Sequence, residues 1–397
     1  MKVDEWGKLA SVQQAHLQKT RVLAGWLRVT ALTMLVAVIG CRAPAGDDSK
    51  KAGTESAPPA PAPSTRPLEP IAHVPVGEFW AGSQPGEPGR DPAWEPLSKR
   101  IKLGPFRIDA RPYPGTENAP PRTGVSSAEA AALCAQRKGR LCTELEWERA
   151  CRGSGSNRYP PGERPCSEGS GCRSGFDVLS MTELAEWTAS KFGPESEKPG
   201  SDVLRGAPER VPASERRCAR RRPADKKVEA GFRCCYGAPN AANLAEPKLG
   251  PPYRETEISA SQLKELLGSH PKTASLSAGA ALFDKQASRT VFERGTRESQ
   301  GFTLTTSAVI WQPARGLRYL VVAGHAANGS SYVVAFHDTV PRTLAGSFIM
   351  ESEPGPIALA YAASIRPRIH FSSCWGCPGE TGKILFRPLE QLVFLQP

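Results

Sequence analysis

Apolar and polar residues alternate along "IAHVPVGEFWAGS" (Ile71 to Ser83) and along "KRIKLGPFRIDARPY" (Lys99 to Tyr113). That is the period of strands with one buried face, and the glycines inside both runs mark turns. The pattern then changes. "SSAEAAALCAQRKG" (Ser126 to Gly139) and "TELEWERACRG" (Thr143 to Gly153) carry apolar residues at helical spacing. Ser126 with Glu129, and Thr143 with Glu146, have capping-box spacing, and Gly139 and Gly153 supply the stops. Beyond them come loops, among them "NRYPPGERPCSEGSGC" and "LSMTELAEWTAS". This region is expected to be α+β with little regular structure. After a linker, "SASQLKELLGSH" (Ser259 to His270) predicts one short amphipathic helix. The rest reads as strands: "SAVIWQP", "LRYLVVAGHA", "SYVVAFHDTV", "AGSFIMESE", "PIALAYAAS", "RIHFSSCW", "KILFRPL" and "LVFLQP". Turn signals such as "PARG" and "ANGS" separate them. The expected second domain is an antiparallel β-rich meander, closed toward a small barrel or sandwich. No internal repeat is found.

The N-terminus changes this picture by fixing a compartment. Lys19, Arg21 and Arg28 precede the apolar run "VTALTMLVAVIG" (Val29 to Gly40). The run is shorter than the ~20 residues a spanning helix needs, and it fits a secretory h-region. It ends in "VIGC", which resembles a bacterial lipobox, so Cys41 is the expected lipidation site and mature N-terminus. Arg42 after it resembles lipoproteins sent on to the outer membrane. An uncleaved anchor helix is the competing reading. The next stretch has almost no large apolar residues and reads as a Pro/Ala tether. The expected organisation is signal peptide 1–41, tether 42–68, first domain 69–239, linker 240–257 and β-rich domain 258–397.

Composition narrows the partners. Among 397 residues the formal net charge is +11. The dense run "ERRCARRRPADKK" concentrates it, with Arg216, Arg217, Arg220, Arg221 and Arg222 expected as a basic surface. Behind a lipobox this favours lipid head groups or an acidic polymer over nucleic acid; a solvated loop is the plainer reading. Besides the membrane reached through the lipid, an envelope protein is the other partner considered. Glu144 and Glu148 share a helix face and are expected to be solvated.

Eleven cysteines less Cys41 leave ten, an even number in an oxidising compartment. Eight lie between Cys134 and Cys235, and Cys374 and Cys377 form "CWGC". Spacing alone leaves the connectivity open. Pro378, Gly379 and Gly382 follow "CWGC", which makes a turn and favours a structural disulfide over a redox centre at a helix N-terminus. His370 would make a third zinc ligand, with no fourth in view.

The blocks "HVPVGEFWAGS", "FRIDARPY", "GRLCTELEWERACRG", "RYPPG", "ELAEWTAS", "RGAP" and "AGFRCC" occur in the order seen in the formylglycine-generating enzyme (sulfatase-modifying factor) family, which the first domain resembles. The resemblance implies a C-type-lectin-like fold. It also implies disulfides Cys134–Cys234 and Cys151–Cys218. Cys142 stands where the family has proline and Cys235 is extra, which suggests Cys142–Cys235 and leaves Cys166–Cys172. In that family two cysteines work with copper and oxygen to oxidise a substrate cysteine, and soft thiolates suit Cu(I). Here no cysteine lies between Arg205 and Arg217, and Pro208 and Ala213 occupy the nearest positions. An iron-dependent branch needs three histidines, and this region holds only His73. Of the family's calcium block, Glu186 and Trp187 remain, with Glu183 nearby; Ca²⁺ needs 6–8 oxygen ligands, so no tight site is expected and Trp187 reads as core. No cofactor is therefore expected, with calcium at Glu186 the single candidate. The expected function is non-catalytic binding or scaffolding by an envelope lipoprotein. The alternative is a divergent oxidase or a protein that assists an envelope enzyme.

Overall fold

Local side-chain signals set the helices. In this computed structural model, which describes residues 70–166, 172–207, 211–224, 229–295, 300–351, 355–363 and 368–396, the chain is mostly β with four α-helices among the described residues. They are α1 (Ser127–Gln136), α2 (Glu144–Arg152), α3 (Ala260–Gly268) and α4 (Lys285–Glu293). Full capping boxes begin α1 at Ser126 and Glu129, α2 at Thr143 and Glu146, and α3 at Ser259 and Gln262. Each box satisfies helix N–H groups that would otherwise be orphaned. The helix α4 was not expected; Asp284 caps it, and Ser288 and Val291 are its buried residues. The expected signal peptide, Cys41 and the expected tether lie outside the described residues. Among the described residues no helix is long and apolar enough to cross a membrane.

Residues Thr65–Pro397 form one compact unit. Its first half has three small sheets. Strands Ile71–Val74, Phe106–Asp109, Cys234–Tyr236 and Arg140–Leu141 lie side by side and antiparallel. Gly77–Ala81 pairs with Lys99–Leu103. The third sheet runs Arg221–Pro223, Asp202–Arg205, Glu186–Lys191 and Gly231–Phe232, the last pair parallel. One core gathers around Trp147, Phe79 and Ile108, and another around Phe232, Leu204 and Trp187.

The second half is a sandwich with a helix on each outer face. One sheet runs Tyr253–Glu255, Ala308–Ala314, Leu317–His325, Ser331–His337 and Thr343–Met350, with Ala281–Leu282 also paired to Leu317–His325. The other runs Phe302–Leu304, Ala358–Ala362, Arg368–Ser372, Gly382–Phe386 and Leu392–Leu395. Side chains of one parity, including Trp311, Val321 and Val333, meet Leu359, Ile369 and Phe371 of the facing sheet. Those of the other parity, including Leu320, Val322 and Phe336, pack under Leu263 and Leu267 of α3. With both faces covered, every residue of Ser331–His337 is buried, and the strands read as continuous apolar runs. On the second sheet Ala358 and Ala360 pack with Val291 of α4 and with Trp375. The expected linker is shorter than the sequence suggests, because Tyr253–Glu255 already belongs to the first of these sheets.

The halves meet along a polar seam. The buried Arg90 guanidinium pairs with Glu390, and the Tyr319 hydroxyl donates to the Glu390 carbonyl at 3.0 Å. The Arg315 guanidinium donates to the carbonyls of Glu195 (2.7 Å) and Pro247 (3.0 Å). Gly316, at φ +71°, approaches Pro92 so closely that a Cβ would strike its carbonyl.

Candidate functional site

The segment that would carry oxidase chemistry, residues 205–217, opens at Arg205, whose guanidinium packs against α2 through Glu144 and Glu148. The helix buries Glu146 and Glu148 alongside the apolar Leu145, Trp147, Ala150 and Cys151. The fully buried Glu148 carboxylate accepts from Gly82 N–H (2.8 Å), Arg152 Nε (2.8 Å) and Arg205 Nη2 (2.9 Å). Arg205 also bonds Glu144 (2.9 Å) and the carbonyls of Cys218 and Ala219. Arg221 donates to Glu144, to both oxygens of Glu246 (2.9 and 3.0 Å) and to the Trp94 carbonyl, with its guanidinium 4.3 Å from the Phe192 ring centre. Arg217 grips both oxygens of Glu95 (2.9 and 2.7 Å) and bonds Glu87 and the Gly89 carbonyl. Burial alone would lower the Arg217 guanidinium, but the facing carboxylates outweigh it and push it above its ordinary value. Arg205, Arg217 and Arg221 thus each face a fixed counter-charge, as their desolvation requires.

Two expectations are corrected by this network. Glu148 is not on a solvated face, and Glu144 is half-buried and ion-paired. The arginine run is not a basic surface: Arg217 and Arg221 are buried, and Arg216, Arg220 and Arg222 are half-buried with partners. The reason is physical. The counter-charges of Arg217 and Arg221, namely Glu87, Glu95, Glu144 and Glu246, come from distant stretches of chain, so local composition shows only the positive half of those pairs; Arg220 pairs within the run, with Glu215.

Glu186 is fully buried; its oxygens take Arg233 Nε and Nη2, both at 2.7 Å, and Trp147 Nε1 at 2.9 Å. The cation beside this candidate calcium ligand is therefore a guanidinium. Trp187 is buried in the second core. Among the described residues no group of three or more His, Cys, Asp or Glu could hold a metal ion.

The cysteines pair as Cys134–Cys234, Cys142–Cys235, Cys151–Cys218, Cys166–Cys172 and Cys374–Cys377. The first three anchor α1, the start of α2 and the end of α2 to strands or loops that follow 67 to 100 residues later. Ala213 opens a short 3-10 turn, Ala213–Glu215, and Pro208 lies outside the described residues.

A model of the sulfatase-modifying factor enzyme 1-like domain matches residues 109–177, the stretch that holds α1, α2 and the first cysteine of each of their three cystines. This chain carries a sulfatase-modifying-factor-like domain. Similar solved structures include PvdO from Pseudomonas aeruginosa (18% identity, 42% of this chain and 93% of that one, TM-score 0.32). Variable protein 1 of Treponema denticola is another (13% identity, 42% of this chain and 94% of that one, TM-score 0.30). No curated protein matches the sequence.

Sequence reasoning missed a cleft between the sulfatase-modifying-factor-like domain and the sandwich. It has a volume of about 970 Å³ and adjoins a second cavity of about 680 Å³, with Leu97, Thr339 and Val340 lining both. Trp80 is 47% exposed, Leu97 38% and Val340 97%, all on its walls. One sequence signal could have marked it. In "GEFWA" the strand turns Phe79 inward and Trp80 outward beside Glu78, and a large outward aromatic next to the charged partner strand "KRIKL" is unusual.

Proposed function

We propose that the chain is a non-catalytic binding or scaffolding lipoprotein of the bacterial cell envelope. In this reading a lipid on Cys41 holds it at the outer membrane, and a degenerate sulfatase-modifying-factor-like domain of C-type-lectin-like fold and an antiparallel β-rich domain stand off the surface on the 42–68 tether. The observation that carries the non-catalytic part is the commitment of thiols. All eight cysteines of the first domain are in disulfides, and residues 205–217 contribute none. Oxidising a substrate cysteine on copper needs two thiolates converging on one ion. Recruiting one from a cystine would unpair its partner and loosen a fold that depends on it. Glu95, Glu144 and Glu148, acids close to that segment, are held in ion pairs with arginine.

The test uses residues 65–397, a compact unit that contains all its own cores and cystines. Thiol titration of the denatured, unreduced protein should find no free cysteine. Incubation with Cu(I), oxygen and a Cys-x-Pro-x-Arg peptide should leave the peptide mass unchanged. Conversion to formylglycine, abolished by one Cys→Ser change, would overturn the reading in favour of a divergent oxidase.

A further inference from the structure

We infer that the cleft between the two halves binds an anionic amphiphile, with its apolar body against Trp80, Leu97, Ile310 and Val340 and its charged group at Lys99 and Arg254. The inference deepens the binding reading above and rests on it. Its volume, about 970 Å³, is at the upper end of small-ligand sites and leaves room for a chain to run on into the adjoining cavity. The second cavity continues the apolar wall with Ile258, Leu266 and Pro341.

Charge accounting gives the sign of the ligand. Two carboxylates line the larger cleft, and both are spent: Glu95 on Arg217 and Glu246 on Arg221. Of the six lining cations, Arg90 is paired with Glu390, Arg318 with Asp338, Arg100 with Glu78 and Lys248 with Glu195. Lys99 and Arg254 remain, both exposed, with no partner among the described residues. Two open cations beside an apolar wall complement one acid on a hydrophobic body. A neutral glycan fits less well. It would call for several free acceptors and side-chain amides, whereas the carboxylates are taken and the Gln312 amide already donates to the Lys248 carbonyl at 2.6 Å.

The probes are anilinonaphthalene sulfonate, decanoate below its micelle concentration, and decanol as the uncharged match, all added to residues 65–397. One sulfonate dye should bind per chain, with fluorescence rising to a single plateau and affinity falling as salt is added. Trp80→Ala should weaken it about ten-fold or more. The double change Lys99→Glu with Arg254→Glu should weaken it roughly five- to ten-fold. Val340→Asp supplies an independent lesion on the opposite wall and should also weaken it. All these side chains are exposed, and thermal unfolding matched to the parent shows that the fold is kept. Decanoate should displace the dye and decanol should do so far less well. Dye binding untouched by the wall variants, or decanol as effective as decanoate, would overturn the assignment. The formylglycine assay on the same preparation separates the two ideas. A chain that binds neither probe yet leaves the peptide unmodified loses the cleft and keeps the non-catalytic reading.

Discussion

The two halves of the unit reach burial by opposite means. The first half has short strands, two helices and long loops, and its interior contains Arg205, Arg217, Arg221, Arg233, Glu148 and Glu186. The second half sandwiches Trp311, Tyr319, Val321, Leu359 and Phe371 between two sheets, an apolar layer with no ion pair among its described residues. A loop-rich chain cannot satisfy its backbone through ladders alone, so guanidinium groups reach in to take carbonyls: Arg233 those of Asp109 and Leu179, Arg149 those of Pro75 and Glu78. The lesson is that cystines and buried ion pairs do in one half what alternating strands do in the other.

The largest effect should come from the cystines. Three of them close stretches of 100, 93 and 67 residues in the first half, whereas the second half has one that spans three. Closing a loop of about 100 residues is worth ~4.7 kcal/mol in the chain-entropy picture, and the short loop much less. Reduction should therefore unfold the first half at room temperature while the sandwich keeps its own cooperative transition. Near-ultraviolet circular dichroism with calorimetry, with and without reductant, reads both. A single transition that shifts as one would break the comparison.

Next is the network itself. Glu148→Ala leaves Arg152 and Arg205 buried beside an uncompensated site and should destabilise the first half by about 3–5 kcal/mol. Glu148→Gln retains acceptor and shape and should do less harm. Urea unfolding of the two variants checks the order. Equal, small losses would mean that the pairs contribute little beyond packing.

How far each half could be read from sequence follows the same division. Three helix starts were legible because a capping box is a local signal: Ser126 with Glu129, Thr143 with Glu146, Ser259 with Gln262. The sandwich strands were legible because their apolar runs are continuous. The helix α4 was not, since it buries only Ser288 and Val291 and carries Ala287 where a capping box has Glu or Gln. The arginine run was misread because Glu95 stands 122 residues from Arg217. The cleft was invisible for the same reason, its walls being drawn from residues 80–100, 244–254, 310–318 and 339–340.

Acid should separate the halves more gently. Burial, with a smaller push from Arg90, holds the His337 imidazole down to about 4 from an ordinary 6.5; its ring lies 5.2 Å from that of Tyr319. Burial does the same to His370, helped by Arg368 and Lys383. The unfolded chain binds these protons first. Both groups therefore give the sandwich stability that is complete above pH 6.5 and is lost as pH falls toward 4. For His337 the full loss is between about 3 and 4 kcal/mol at about 1.36 kcal/mol per unit, reached only near the bottom of that window. Glu390, raised chiefly by burial, opposes it by taking up a proton more readily in the folded chain. The first half has a single histidine, His73, on a strand edge exposed to water. Its Asp91 and Asp109 are raised mainly by burial, so mild acid favours their folded forms. Between pH 6.5 and 5 the sandwich transition should thus drop by a few degrees while that of the first half holds or rises. Replacing His337 with Phe should remove about half of the sandwich slope, and replacing His370 as well should remove most of it. A slope that survives His337→Phe unchanged would place the acid sensitivity elsewhere, and parallel shifts of both transitions would mean that the seam at Arg90 and Glu390 couples the halves into one cooperative unit.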